Sequence, residues 1–256
     1  MNPLIKSSLL SIGVLVCVPV QAQDNWRHGI GTGIYALNIE GDTGLNTALG
    51  SVKFNTDLSS DDVQDLVDSA FGLGGFSTNG TWTILYNAAQ LELVGSNSGT
   101  ILSGTPASGS VSLTATVAEV AAAYNFANTG NHNWGVLLGA RYTKHDYDAK
   151  LAIGASSATR NLSQNWTDAI VGLTHNYPLS DKWSWNSKAN VGFGSDTDGT
   201  YFVNTGLTWQ FADSWSSTLY GQLLHYNYEN GSRGDPDWYL YDADEYGVGL
   251  NILYHF

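Results

Sequence analysis

Along most of the chain, hydrophobic and polar residues alternate one by one. In "VNTGLTWQF", Val203, Leu207, Trp209 and Phe211 share a face with Thr205, while Asn204, Gly206, Thr208 and Gln210 share the other. In the terminal "YGVGLNILYHF", Tyr246, Val248, Leu250, Ile252, Tyr254 and Phe256 stand against Glu245, Gly247, Gly249, Asn251, Leu253 and His255. Trp183, Trp185, Ala189, Val191 and Phe193 alternate with Ser184, Asn186, Lys188, Asn190 and Gly192. Successive side chains of a strand point to opposite faces, so a period of two predicts strands with one apolar face. The polar faces carry Gly, Asn, Ser, Thr and Gln, with charges mostly in the connections. Small polar groups suit a crowded, wet lumen, which leaves the apolar face for lipid. A soluble sandwich would instead turn that apolar face into a core.

The connections separate these two arrangements. Outgoing segments begin near Trp26, Trp82, Trp134, Trp183 and Trp215, and returning ones end in Phe76, Phe126, Tyr177, Phe211 and Phe256. The turns between them are short ("STNGT", "ANTGNHN", "PLSDK", "ADS"), whereas 95–109 and 229–242 are longer and more polar. Aromatics beside only the short turns form a girdle at a membrane–water boundary, and a sandwich has no reason for that asymmetry. The predicted fold is all-β: a transmembrane up-and-down antiparallel β-barrel of about ten strands, both termini periplasmic. The strands fall near 26–39, 69–77, 81–94, 110–126, 133–148, 164–177, 182–194, 200–211, 215–228 and 244–256. Eight or twelve strands stay open, because the second is short and glycine-rich ("AFGLGGFS"). Within the first long connection, Ser59 and Asp62 have capping-box spacing, and Val63, Leu66, Val67 and Ala70 follow at helical period. This predicts a short helix over 60–69, expected as a surface helix over the sheet edge rather than a plug in the mouth.

Composition adds the address. Lys6, the apolar run 9–20 and Val20-Gln21-Ala22 have the form of a secretory signal cleaved after Ala22, leaving 23–256 as the barrel domain. Cys17, the only cysteine, follows Val16 rather than a small residue, so no lipid attachment is expected, and the mature chain has no disulfide. Hydrophobic residues make up 43% of the chain, yet after the signal no run reaches the ~18 residues of a membrane helix. A formal charge of −13 argues against nucleic acid as a partner. The expected location is the cell outer membrane. The expected partners are its lipid and lipopolysaccharide, the barrel assembly machinery through the C-terminal strand ending in Phe256, and an unidentified extracellular ligand.

"NWTDAIVGLTHNYPLSDKWSW", "NVGFGSDTD" and "GLTWQFADSWSSTLYGQLLHYNYE" resemble a family of Gram-negative outer-membrane β-barrel proteins of uncharacterised function. "TDLSSDDVQDLVDSAF" and "GTWTILYNAAQLEL" resemble its N-terminal half. The family pattern often has Pro after Trp-x-Asp and basic residues after Val-Gly-Leu, where this chain has Ala169 and Thr174-His175-Asn176. The resemblance implies fold and location and supplies no chemistry.

Charges expected to face inward are few. If Phe126 and Trp134 flank a regular turn, antiparallel register sets Glu119 opposite Arg141, and Asp168 and Lys188 follow on the next strands. They read either as a charged eyelet in a narrow channel or, preferred here, as a salt-bridge network locking a closed lumen. His145-Asp146, and His225 with Asp244, stand near the outer strand ends, where an acid–base pair of an outer-membrane protease or lipid-modifying hydrolase would sit. No Ser-His-Glu set accompanies them, and no enzyme is expected. "SDTDGT" and "GDPDWYLYDADE" cluster carboxylates without a complete calcium-loop spacing, so neither metal nor cofactor is expected. The expected function is a structural or narrow-pore barrel with a mostly closed lumen. An adhesin-like barrel using the acidic, aromatic last loop is second, and a hydrolase third. The "RGD" at 233–235 is too short to carry recognition.

Overall fold

The computed structural model describes residues 26–47, 50–101, 105–129, 131–153, 155–195 and 197–256. The proposed signal segment, with Cys17 and Ala22, lies outside these residues. The elements are β1 (Arg27–Thr47), β2 (Gly50–Leu58), α1 (Ser60–Leu66), β3 (Val67–Thr78), β4 (Trp82–Ile101) and β5 (Thr105–Thr129). They continue as β6 (His132–Ile153), β7 (Ser156–Pro178), β8 (Trp183–Phe193), β9 (Thr200–Ala212), β10 (Trp215–Asn230) and β11 (Tyr239–His255). From β3 onward each strand pairs antiparallel with the next, and β11 returns to β1 over Gly29↔His255 to Leu45↔Tyr239. Closure removes both sheet edges, the condition for a sheet to stand in lipid.

The barrel has ten staves, although eleven strands are present. β1 pairs with β3 over Arg27–Gly31 and with β2 over Ile39–Thr47, so β2 and β3 make the outer and inner parts of one stave. Its short, glycine-rich sequence, which left the strand number open, belongs to this divided stave.

The alternation has the orientation expected from lipid outside. Val248, Leu250, Ile252 and Tyr254 face outward, Val248 being 61% exposed, while Asn251 and Leu253 between them are buried. The girdle residues Trp26, Trp82, Trp134, Trp183, Trp215, Phe126 and Phe211 are exposed on the outer surface near the short turns, and Tyr177 is half-buried among them. Phe76 departs from the pattern: it is fully buried on the inner face. Gly72, Gly74 and Phe76 alternate inward, and the Phe76 ring lies over Gly29, where a Cβ would collide with it. Tyr220 likewise lies over Gly249. Luminal glycines thus make room for aromatics from neighbouring staves.

Several boundaries differ from expectation. The 95–109 stretch is a hairpin, not a loop: β4 and β5 stay in register from Gly95↔Val111 out to Ile101↔Thr105. β6 and β7 likewise reach Ile153 and begin at Ser156. Ser-, Thr- and Gly-rich sequence reads as loop, yet above the membrane the ladder needs only backbone pairing with its neighbours. The helix is shorter than 60–69 and stops at Leu66, because Val67 is already paired with Leu93. Ser59 caps it, with the reciprocal bond to Asp62 in place. Nor does α1 only cover the surface. Its Val63 is buried in the same cluster as Leu37, Ile39, Leu91 and Leu93, all on the inner face.

Candidate functional site in the barrel lumen

Three layers fill the lumen. At the end that carries the short turns, Phe76, Leu85, Ala121, Ala123, Leu137, Ile170 and Leu253 form an apolar floor. Below it opens a vestibule of about 300 Å³, bordered by Arg27, His28, Lys182, Asp213, His255 and Phe256. The vestibule does not continue inward, since Phe76 and Leu137 are both fully buried.

Above the floor lies a charged waist. Glu119 and Arg141 are ladder partners on β5 and β6, with a bulge at Phe126 taken up between Asn125 and Ala127. Arg141 Nε and Nη2 donate to Glu119 Oε2 at 3.0 and 2.8 Å, and Lys188 Nζ donates to Glu119 Oε1 at 2.8 Å. Arg141 Nη2 also donates to Asn190 Oδ1 at 2.9 Å. The three charged side chains are only 2–5% exposed. The Phe202 ring lies 5.2 Å from Arg141 Cζ and 4.5 Å from Lys188 Nζ, adding a cation–π contact to both. Asp168 is also buried and is the ladder partner of Arg141, but its carboxylate is held by hydroxyls. Thr197 Oγ1 donates at 2.7 Å and Thr200 Oγ1 at 3.2 Å. The four charges therefore form one three-membered cluster centred on Glu119 plus a separate carboxylate, not an alternating chain.

The outer third is aromatic. Trp166 stacks on Tyr228 at 4.1 Å, and Tyr226, Tyr239 and Tyr241 are buried around them. His145 shares a hydrogen bond with the Tyr239 hydroxyl at 2.8 Å, and Tyr147 bonds the same hydroxyl at 3.0 Å. The β10–β11 connection folds over this cluster. Trp238, itself buried, donates from Nε1 to Glu229, and Arg160 Nη2 donates to the Pro236 carbonyl at 2.5 Å. Sequence reasoning missed this lid. Tyr239 and Tyr241, which read as part of an outward recognition surface, are turned inward, and Trp238 is buried over Gly44 and against Glu229. The signal that could have found it was the period-two run through Tyr239, Tyr241 and Ala243, which continues the inner face of β11.

The two His–carboxylate candidates fare differently. His145 points inward and Asp146 outward, where Asp146 pairs with Lys144 at 2.6 Å and Ser163 at 2.5 Å, so they make no dyad. His225 Nδ1 does meet Asp244 Oδ1, at 3.0 Å, on the outer surface. Tyr201 stacks on that imidazole at 4.6 Å and donates to the same Asp244 oxygen at 3.3 Å. The second nitrogen of His225 lies 3.9 Å from Asp242, so the ring is placed between carboxylates rather than against a serine or threonine hydroxyl. Among the described residues no group of three His, Cys, Asp or Glu side chains is arranged to hold a metal ion.

No family model matches the chain, and no curated protein does. Solved structures do. The outer membrane protease OmpT from Escherichia coli superposes with a TM-score of 0.55 at 11% identity, over 91% of this chain and 97% of that one. The translocator domain of the autotransporter NalP from Neisseria meningitidis gives 0.46 at 12% identity, covering 93% and 91%. The attachment invasion locus protein Ail of Yersinia pestis gives 0.31 at 12%, covering 90% and 99%. At these identities the likeness concerns the fold alone: this chain has the closed antiparallel barrel of bacterial outer-membrane proteins.

Proposed function

We propose that the mature chain is a closed, non-conducting barrel with a structural role in the outer membrane, not a hydrolase. In this reading residues 1–22 direct export and are removed. The assembly machinery then engages the strand that ends in Phe256, and the outward face meets lipid and lipopolysaccharide. One observation carries the closed reading: the Glu119–Arg141–Lys188 cluster sits across the lumen at 2–5% exposure, directly bonded rather than spaced by water. A conducting eyelet needs hydrated charges, whereas a small barrel is normally filled by side chains. Against hydrolysis stands the setting of His225, whose neighbours are acceptors and an aromatic ring. Against an aromatic adhesive surface stands the burial of Trp238 and Tyr239.

The test is electrical. Refolded wild-type protein in a planar bilayer should give no steady open current, and a stable ohmic channel would overturn the closed lumen.

A further inference from the structure

The divided stave leaves a seam in the wall. The β1–β3 ladder ends at Gly31↔Gly74 and the β1–β2 ladder begins at Ile39↔Leu58. β3 meanwhile stays paired with β4 up to Val67↔Leu93. Between them, residues 34–37 of β1 and 68–71 of β3 face each other without a ladder. Ile34 and Phe71, 45% and 61% exposed, flank the seam on the outer face, so it opens in the lipid-facing band. α1 runs from the end of β2 to the start of β3 and crosses the top of the seam.

Behind the seam lies an apolar pocket of about 30 Å³. Leu37 and Ile39 of β1, Leu91 and Leu93 of β4, and Leu113 and Val117 of β5 line it. β3 contributes no lining side chain, although Val67 and Ala70, the ladder partners of Leu93 and Leu91, pack against the same cluster. The pocket's polar residues are Gln90, His145, Tyr241 and Glu245, with Tyr241 donating to Glu245 Oε1 at 2.8 Å. Val63 of α1 packs in the cluster that contains four of the pocket's leucine and isoleucine side chains. α1 itself is seven residues long with one buried side chain. A helix this short has little stability of its own and depends on such packing. It is tied to β1 by the Ser60 N–H, which donates to Asn38 Oδ1 at 2.9 Å.

We propose that α1 is a shutter over this seam, and that the pocket behind it admits from the membrane a small lipophilic molecule carrying one hydrogen-bond donor. The apolar lining selects a ring or short chain, and the Glu245 carboxyl accepts from its hydroxyl. The pocket as it stands holds about one water and no α1 residue lines it, so the cluster that α1 joins through Val63 has to loosen before such a molecule fits. A lateral route needs no axial opening and is therefore independent of whether the lumen conducts.

The only cysteine lies at position 17, in the proposed signal, so a cysteine pair can be placed without interference. Asn38→Cys with Ser60→Cys joins α1 to β1 across the existing contact. The probe is 1-naphthol, titrated by fluorescence against the barrel in nanodiscs, with empty nanodiscs subtracted and naphthalene as the donor-free comparison. Saturable binding of about one 1-naphthol per barrel is expected. Oxidation of the pair should weaken it by roughly tenfold or more, and reduction of the same sample should restore it. Glu245→Leu should remove the preference for 1-naphthol over naphthalene while binding of naphthalene persists. Because oxidised and reduced states are compared in one folded sample, a folding defect cannot imitate the result. No saturable binding beyond empty nanodiscs, or equal binding in both redox states, would overturn the proposal.

Discussion

Glu119 is the residue on which the waist depends, because one carboxylate serves two cations. Replacing it with Gln leaves Arg141 and Lys188 together in a dry lumen, a change that costs about 3–5 kcal/mol when a buried charge loses its partner. Arg141→Met leaves the Glu119–Lys188 bond intact and should cost less, and the double mutant should cost less than the sum of the two. Urea titrations of refolding into lipid vesicles measure all three. Single mutants within the ~0–1 kcal/mol of a hydrated pair would mean that water reaches the waist. The Glu119–Arg141 pairing is legible in the sequence only in part: beside the turn Ala127, not Phe126, pairs with Trp134, and the bulge at Phe126 shifts the ladder by one residue to the register that sets Glu119 opposite Arg141. The bond from Lys188 is not legible, because it reaches across the lumen from β8 to β5, and no count along the chain relates staves that are not neighbours. Asp168 was misread for a similar reason. Its partners Thr197 and Thr200 lie at the β8–β9 connection and the start of β9, and how that connection folds inward leaves no mark on strand periodicity.

At the scale of the element, the period of two fixes the faces. Leu207 and Thr208 on β9 are adjacent in sequence and opposite in orientation. Leu207 faces outward, while Thr208 faces the lumen beside the vestibule at the short-turn end and accepts from Asn186 Nδ2 at 2.7 Å. Leu207→Arg should destabilise the barrel by about 2–4 kcal/mol at mid-membrane depth, and Thr208→Arg, whose side chain can extend into the vestibule, by clearly less. Equal shifts in a lipid-refolding titration would contradict this orientation. Strand C-termini matter as well. Phe256 exchanges two backbone bonds of 2.9 Å with His28 and stacks on its ring at 5.5 Å, so deleting it should slow membrane insertion while export continues, as fractionation would show. The helix responds to acid. Hydrogen bonds from the Ser59 side chain and backbone hold the Asp62 carboxyl below its ordinary value near 3.8. A depressed folded value stabilises the cap above the ordinary value and loses that contribution as pH falls through the lowered one. Hydrogen exchange across 60–66 should therefore quicken only at the acid end of the range, and an Asp62→Asn variant should show no such step. What the alternation could not show was where strands stop. Above the membrane, Ser, Thr and Gly side chains no longer report a lipid face, and only the partner strand keeps the ladder going.

For the whole molecule, closure is a matter of layers in series. The ionic waist and the apolar floor each cross the lumen beneath the aromatic outer third, so removing either leaves the other. Phe76→Ala is the most severe single change to the floor, since the ring is fully buried and Gly29 beneath it offers nothing to take its place. Such a truncation should cost about 3–5 kcal/mol in stability, yet the waist above it should keep the barrel electrically silent. Shortening the β10–β11 connection across 232–237 should likewise leave no steady current, because Tyr226 and Tyr228 remain on β10 beneath it. Current is expected only when floor and waist are breached together, in Phe76→Ala combined with Glu119→Gln and Arg141→Met. Single-channel recordings on the four proteins, paired with refolding titrations so that silence is not mistaken for unfolding, decide the point. A steady current from Phe76→Ala alone would place the seal in the floor and make the waist a selectivity element in a gated pore. Silence in the combined variant, with the barrel still folded, would place the seal in the aromatic outer third.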